Sequence, residues 1–203
     1  MSGFSTQISD ILLTLPAVLW AISFHEFCHG WVAYQLGDPT ARDAGRLTLN
    51  PLAHFDVVGA LMLLLFHFGW AKPVPVDPRY FKDPRRDMLL VSIAGITGNI
   101  LTAFVVALTI KYIPGPFMAI PALGRVMILM VYVNVGIAVF NLIPIPPLDG
   151  SKLIYPFIPR AWMNGWFFLE RYGFFVLLLL VATGTLGAIM RPIMYMFLRI
   201  ILA

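Results

Sequence analysis

Long apolar runs separated by short, proline-punctuated polar stretches dominate the chain. Crossing a bilayer as a helix takes roughly 20 predominantly apolar residues. Ile8–Gln35, Met88–Tyr112, Leu123–Ile145 and Tyr172–Met190 meet that requirement. After Arg191-Pro192 the tail to Ala203 is apolar again with Arg199 inside it, as in a short extra helix or an interfacial one. Phe55–Trp70 is apolar but too short for a comfortable span, and it contains Gly59 and His67. Segments of that length tend to be re-entrant or buried. Gly37-Asp38-Pro39 stops the first helix, and the prolines of Lys72–Pro78 impose an extended chain. Arg46-Leu47-Thr48-Leu49 alternates polar and apolar before Asn50-Pro51, which predicts a short strand.

Composition turns these runs into a class. Of 203 residues, 60% are hydrophobic and 12% charged, against about 45–50% apolar and about 25% charged in soluble domains. The expected fold is therefore all-α: a polytopic membrane protein with a bundle of about four to six transmembrane helices, a re-entrant segment and a short β-strand or loop near the active site. One integral membrane domain, 1–203, is expected, with a core at about 8–160 and C-terminal helices at about 162–203. The N-terminus lacks a basic n-region and a small-residue cleavage site, so the first helix is expected to stay. A single cysteine, Cys28, excludes an intramolecular disulfide and a cysteine-rich metal site. The net charge of +4 fits basic loops on the cytoplasmic side of a membrane better than nucleic-acid binding.

Charge also decides the topology. If Phe55–Trp70 dips in and returns, loops 36–54, 71–87 and 146–171 share one side. That side then holds all the Lys and Arg except Lys111, Arg125, Arg191 and Arg199. If the segment spans, the basic residues divide nearly evenly. The re-entrant arrangement gives the stronger positive-inside bias and puts the N-terminus outside.

The first run carries His25-Glu26-Phe27-Cys28-His29 near its C-terminal end. His-Glu-x-x-His on a helix sets two imidazoles one turn apart on one face, spaced for a single zinc ion, with a carboxylate beside them as general base. Such groups are costly in hydrocarbon and mark function there. Catalytic zinc usually takes three protein ligands. Asp149 supplies the third: the prolines in Asn141-Leu142-Ile143-Pro144-Ile145-Pro146-Pro147-Leu148-Asp149-Gly150 break the helix and leave this carboxylate on a turn. The re-entrant topology brings His25, His29 and Asp149 to similar depth, whereas a spanning Phe55–Trp70 would separate them.

These motifs together resemble the site-2 protease family of intramembrane zinc metalloproteases. The matching residues are His25-Glu26-x-x-His29, Ala94-Gly95 with Asn99, and Asn141-x-x-Pro144 leading to Leu148-Asp149-Gly150. Gly37-Asp38-Pro39-Thr40, Gly45–Pro51 and Gly69–Pro75 are similar to the short prokaryotic branch without PDZ or CBS domains. The resemblance spans roughly 8–160. It implies one zinc ion per chain, cleavage of a membrane-anchored protein within or near its transmembrane segment, and a cell-membrane location with the site toward the cytoplasm. It also implies a place near the active site for Asn141, whose amide would bind substrate backbone or a developing oxyanion. Lipid and a transmembrane protein substrate are the expected partners, and nucleic acid is not.

Blander roles are expected elsewhere: helix packing for Asn99, a loop histidine at His54, a structural or interfacial one at His67, and a small packing residue at Cys28. Two other functions use the same polar cluster, an ion transporter and a catalytically inactive membrane-protein binder. Glu26 beside a ligand histidine serves hydrolysis and has no evident task in conduction.

Overall fold

Proline and aspartate fix where the helices begin. The Asp83 carboxylate accepts from the Arg85 and Arg86 amides ahead of Pro84, starting a helix that runs to Tyr112. Pro121 opens the helix that ends at Asn141, where Pro144, Pro146 and Pro147 deny it further backbone donors. The computed structural model describes residues 2–66 and 69–203, with side chains at 10–62 and 69–203; His67 lies outside them. In chain order the α-helices are α1 (Ser2–Gln35), α2 (Thr40–Asp43), α3 (Val57–Phe66), α4 (Pro84–Tyr112), α5 (Gly115–Ala119), α6 (Pro121–Asn141), α7 (Asp149–Ile154), α8 (Met163–Ala182) and α9 (Thr185–Ile201). Asp10–Gln35, α4, α6 and Arg160–Ala182 are long and apolar enough to cross a membrane. Large apolar side chains such as Leu12, Leu101, Phe104 and Phe175 point outward, as lipid-facing surface requires.

The helices α1, α4 and α6 pack against one another, with α4 running antiparallel to the other two. Small residues set how closely they approach. A β-carbon on Gly95 would lie 2.6 Å from the His29 ring, and one on Gly98 would lie 2.5 Å from Cys28 Sγ. The glycines of α4 therefore let α1 press its histidine face directly onto the α4 backbone. Toward the other end, Ala103, Val106 and Ala107 of α4 meet Val131, Val135 and Val139 of α6, and α9 lays Met194 and Ile201 on that layer. Arg125 pairs with Asp10 at 2.8 Å there, and Lys111 Nζ donates to the Ala203 carbonyl at 2.8 Å.

Among the described residues, the segment expected to dip and return doubles back on itself. Its helix α3 has 10 residues, a rise of about 15 Å or half a hydrocarbon core. The chain then comes back beside its own entry. Lys72 N donates to the His54 carbonyl at 3.0 Å, and the Trp70 carbonyl lies against Gly59.

Two expected elements differ. Arg46–Leu49 is a loop, and no strand occurs among the described residues. Alternation alone cannot make a strand without a neighbour to pair with. Here the Arg46 amide bonds back to Ala41, and the Arg46 guanidinium takes the Lys72 and Pro73 carbonyls at 2.6 and 3.3 Å. The expected span Tyr172–Met190 straddles a break: Gly184, at φ +71°, ends α8 and turns the chain into α9. Gly173 touches the Pro146 carbonyl, and Leu177 and Leu186 share a cluster with Ile143 and Leu148. That junction lies beside the proline-rich turn after α6, and α9 runs from it toward Lys111.

Candidate metal centre

One helical turn separates His25 from His29, so both rings leave the same face of α1. The short helix α7 begins at Asp149 and brings its carboxylate to that face. His25 Nε2 and His29 Nε2 are 2.9 Å apart, and Asp149 Oδ2 is 3.1 Å from the first and 3.0 Å from the second. All three residues are buried, at 5%, 8% and 5% exposure. Among the described residues this is the one His/Cys/Asp/Glu group arranged to hold a metal ion. Tetrahedral zinc with bonds of about 2.0–2.1 Å sets its ligand atoms about 3.3 Å apart, close to the spacing found.

The donor set fits a metal chemically as well. His29 Nδ1 faces the Val91 carbonyl at 2.7 Å. A carbonyl only accepts, so that nitrogen carries the proton and a neutral ring turns the Nε2 lone pair inward. His25 Nδ1 lies 2.6 Å from Asn99 Oδ1. Asp149 Oδ1, the oxygen turned away from the rings, pairs with Lys152 Nζ at 3.2 Å. Burial works against the Asp149 carboxylate. The Lys152 ammonium beside Oδ1 favours the ionised form, the form that ligates.

A cavity of about 410 Å³ opens beside the cluster, lined by His25, Glu26, Gly69–Ala71, Pro73, Asn141, Pro147 and apolar side chains including Phe174 and Leu177. Glu26 stands on its wall, outside the triad of candidate ligands. Its Oε2 accepts from the Val74 amide at 2.8 Å. Pro73 and Pro75 have no amide hydrogen, so Val74 carries the one donor of that tripeptide and gives it to Glu26. Both flanks of this extended strap are tied down. Arg46 holds the Lys72 and Pro73 carbonyls, and buried Asp38 accepts from Asp77 N at 2.7 Å while also capping Thr40. The Val74 side chain fills the space above Gly30.

The residues proposed from sequence thus fall into place unevenly. His25, His29 and Asp149 converge, and Glu26 and Asn141 share the adjoining cavity. Asn141 Nδ2 donates to the Ile137 carbonyl of its own helix at 3.1 Å. Asn99 is fully buried and touches His25, a contact beyond simple packing. His54 is buried with Nε2 at 2.9 Å from the Thr48 carbonyl, outside the cluster. Cys28 packs against Gly98. Segment 69–73, and not Arg46–Leu49, lines the cavity. Sequence reasoning missed Lys152, legible only as a cation one turn after Asp149. It also missed Val74, whose part is played by a backbone amide.

Comparison with known proteins places similar chains in bacteria. "Putative zinc metalloprotease YwhC" of Bacillus subtilis (strain 168) is 38% identical over 182 residues, 86% of this chain and 82% of that protein. "Putative zinc metalloprotease Rip2" of Mycolicibacterium smegmatis is 26% identical over 197 residues, covering 95% and 75% of the two chains. The Mycobacterium tuberculosis (strain H37Rv) protein of the same name is 27% identical over 190 residues, covering 91% and 72%. No family model and no solved structure matches.

Proposed function

Because the chain belongs to the site-2 protease family of zinc metalloproteases, we propose that it is an intramembrane zinc endopeptidase that hydrolyses membrane-anchored protein substrates within or near the bilayer. The observation that carries this is the convergence of two imidazole nitrogens and a carboxylate oxygen beside a cavity that also receives Glu26 and Asn141. His25, His29 and Asp149 would hold the ion, and a zinc ion so held acidifies water toward a pKa of about 7 and polarises a carbonyl. Glu26 takes a proton from the attacking water as it adds to the scissile carbonyl. It then returns that proton to the nitrogen as the C–N bond breaks, and the water's second proton passes from the new carboxyl to the amine, leaving a carboxylate and an ammonium. The Val74 amide holds the Glu26 carboxylate in place for both transfers. The Asn141 amide is available to the substrate backbone or to the oxygen where negative charge develops.

The substrate must arrive unwound, since a helix offers each carbonyl to an amide four residues on. The extended chain at 69–73 is the backbone beside which an opened segment would lie, in place of the edge first expected at Arg46–Leu49. Substrate segments interrupted by Gly or Pro are favoured, because these lower the cost of unwinding by roughly 1 and 3 kcal/mol. The site faces the cytoplasm of a prokaryotic cell membrane in this reading. Its support is the basic surround at the site's end of the bundle, where Arg42, Arg79, Arg85 and Arg86 lie. One membrane domain, 1–203, carries the activity.

The test compares wild type with Glu26→Gln. Zinc content is measured on purified protein, and the membrane proteome is compared between strains carrying either form. The reading expects equal zinc and accumulation of intact membrane proteins in the Glu26→Gln strain. Zinc in both forms with identical membrane proteomes is the result of an inert binder. Absence of zinc from wild type, with ion flux in vesicles, is the result of a transporter.

A further inference from the structure

Three fully or nearly buried side chains link α6, α4 and α1 in a line: Asn134, Asn99 and His25. We propose that Asn134 and Asn99 form a two-amide relay that dictates which nitrogen of His25 faces the metal position, making both of them positioning residues. This rests on the metal-site reading above and adds to it what fixes one ligand's tautomer.

The polarity of the line follows from acceptors that cannot donate. Asn134 Nδ2 lies 2.8 Å from the Met130 carbonyl in its own helix. Only the amide nitrogen can bond there, so Asn134 Oδ1 points the other way, to Asn99 Nδ2 at 2.9 Å. Asn99 Nδ2 has a second hydrogen, and it goes to the Ala21 carbonyl of α1 at 2.9 Å. Both hydrogens of that nitrogen are then used, and Asn99 Oδ1 is left facing His25 Nδ1 at 2.6 Å. An amide oxygen only accepts. His25 Nδ1 must therefore carry the proton, and the neutral ring presents its lone pair at Nε2, the atom beside Asp149 and His29.

The contrast with His29 explains why two asparagines are needed. His29 is set by the Val91 backbone carbonyl, which cannot turn round. A side-chain amide can rotate by a half turn and offer nitrogen instead of oxygen. An Asn99 turned that way would put N–H against His25 Nδ1, move the ring proton to Nε2 and block the ligand position. Ala21 and Asn134 both penalise that turn, because each would be left facing an oxygen. Asn99 and Asn134 are at 0% exposure, so bulk solvent does not reach a turned amide. Asn134 thus acts on a ring it does not touch, through one intervening amide.

The experiment uses the full-length protein in detergent. Zinc affinity is read by chelator competition, and the His25 tautomer by ¹⁵N NMR of histidine-labelled, metal-free protein at a pH where the imidazoles are neutral. Asn99→Leu is expected to weaken zinc by about 10–100-fold, the usual cost of losing an outer-shell partner. Asn99→Asp keeps an oxygen acceptor for Nδ1–H, and in its protonated form keeps one O–H donor toward Ala21 or Asn134, so it is expected to restore part of that affinity. Asn134→Leu is expected to weaken zinc less than Asn99→Leu and to populate the Nε2–H tautomer of His25. A purely structural role for Asn99 predicts that Asp, the more disruptive change in a membrane core, does as badly as Leu or worse. Equal losses in those two variants, or an unchanged Nδ1–H tautomer in both leucine variants, overturns the relay. If wild type binds no zinc, the metal reading has failed, and the tautomer measurement still decides the relay by itself.

Discussion

At the residue scale, the donor set makes distinct demands on neighbouring side chains. His25, His29 and Asp149 offer the converging atoms, so replacing any of them with Ala is expected to cost more zinc affinity than the roughly 10–100-fold typical of an outer-shell loss. Lys152 touches only the outward oxygen of Asp149 and is 44% exposed. Solvent screens it, and Lys152→Met is expected to weaken zinc by about tenfold at most. Chelator competition on the four variants checks the order, and an Asp149→Ala protein binding as tightly as wild type would remove Asp149 from the ligand set. These candidate ligands were legible in the sequence because metal chemistry restricts residue type and helical spacing together. The third was legible because consecutive prolines force a turn wherever they fall. The outer contacts were not. Asn134 reads as one more polar residue in an apolar span, and nothing in the chain's order says that its amide lies against Asn99, 35 residues away.

At the element scale, the strap between Lys72 and Asp77 is the part whose role the sequence concealed. Its prolines announce an extended chain but not what it lies against. In the fold the Val74 amide meets Glu26, and the flanks are pinned by Arg46 and Asp38. A hydrogen bond to a charged group contributes about 1.5–3 kcal/mol. Val74→Pro removes that donor while keeping an extended conformation, so it is expected to slow turnover roughly tenfold or more with zinc occupancy unchanged. Wild-type turnover in this variant would show that the Glu26 carboxylate is positioned without it. Alternation at Arg46–Leu49 suggested a strand because polar Arg46 and Thr48 alternate with apolar Leu47 and Leu49. A loop draped over Gly30 gives the same pattern, as Leu47 packs there beside Val74. The α8–α9 boundary was missed for another reason. Hydropathy averages over many residues and passes across Gly184, whereas one left-handed residue suffices to end a helix.

At the scale of the whole molecule, charge asymmetry and ligand geometry each pointed to a hairpin at Phe55–Trp70, and the bond from Lys72 to His54 brings the chain back where it entered. The return of the chain was legible because element length is a one-dimensional property, and loop charge proposes which side the returning chain faces. Sided labelling tests it in a Cys28→Ser background. Cysteines at Arg79 and Phe157, side chains well clear of the bundle, are expected to react from the cytoplasmic side. A cysteine at exposed Tyr112 is expected to react from the outside. A cysteine at exposed Arg42 that labels from the face opposite to position 79 would break the hairpin arrangement and with it the meeting of α1 and α7.

That meeting has a mechanical consequence. His25 and Asp149 are 124 residues apart in the chain, and an ion held by both is a reversible cross-link closing a loop of that length. Cross-links over long loops remove the most freedom from an unfolded chain. Ligand occupancy adds stability as free ion rises, about 2.7 kcal/mol at a hundred times Kd. The protease domain should therefore melt at a temperature that climbs with free zinc and drops when a chelator strips it. Asp149→Ala protein should melt at a temperature indifferent to both. Thermal unfolding in detergent across a zinc series reads this out, and a wild-type midpoint unmoved by chelator would mean that the ion staples nothing together.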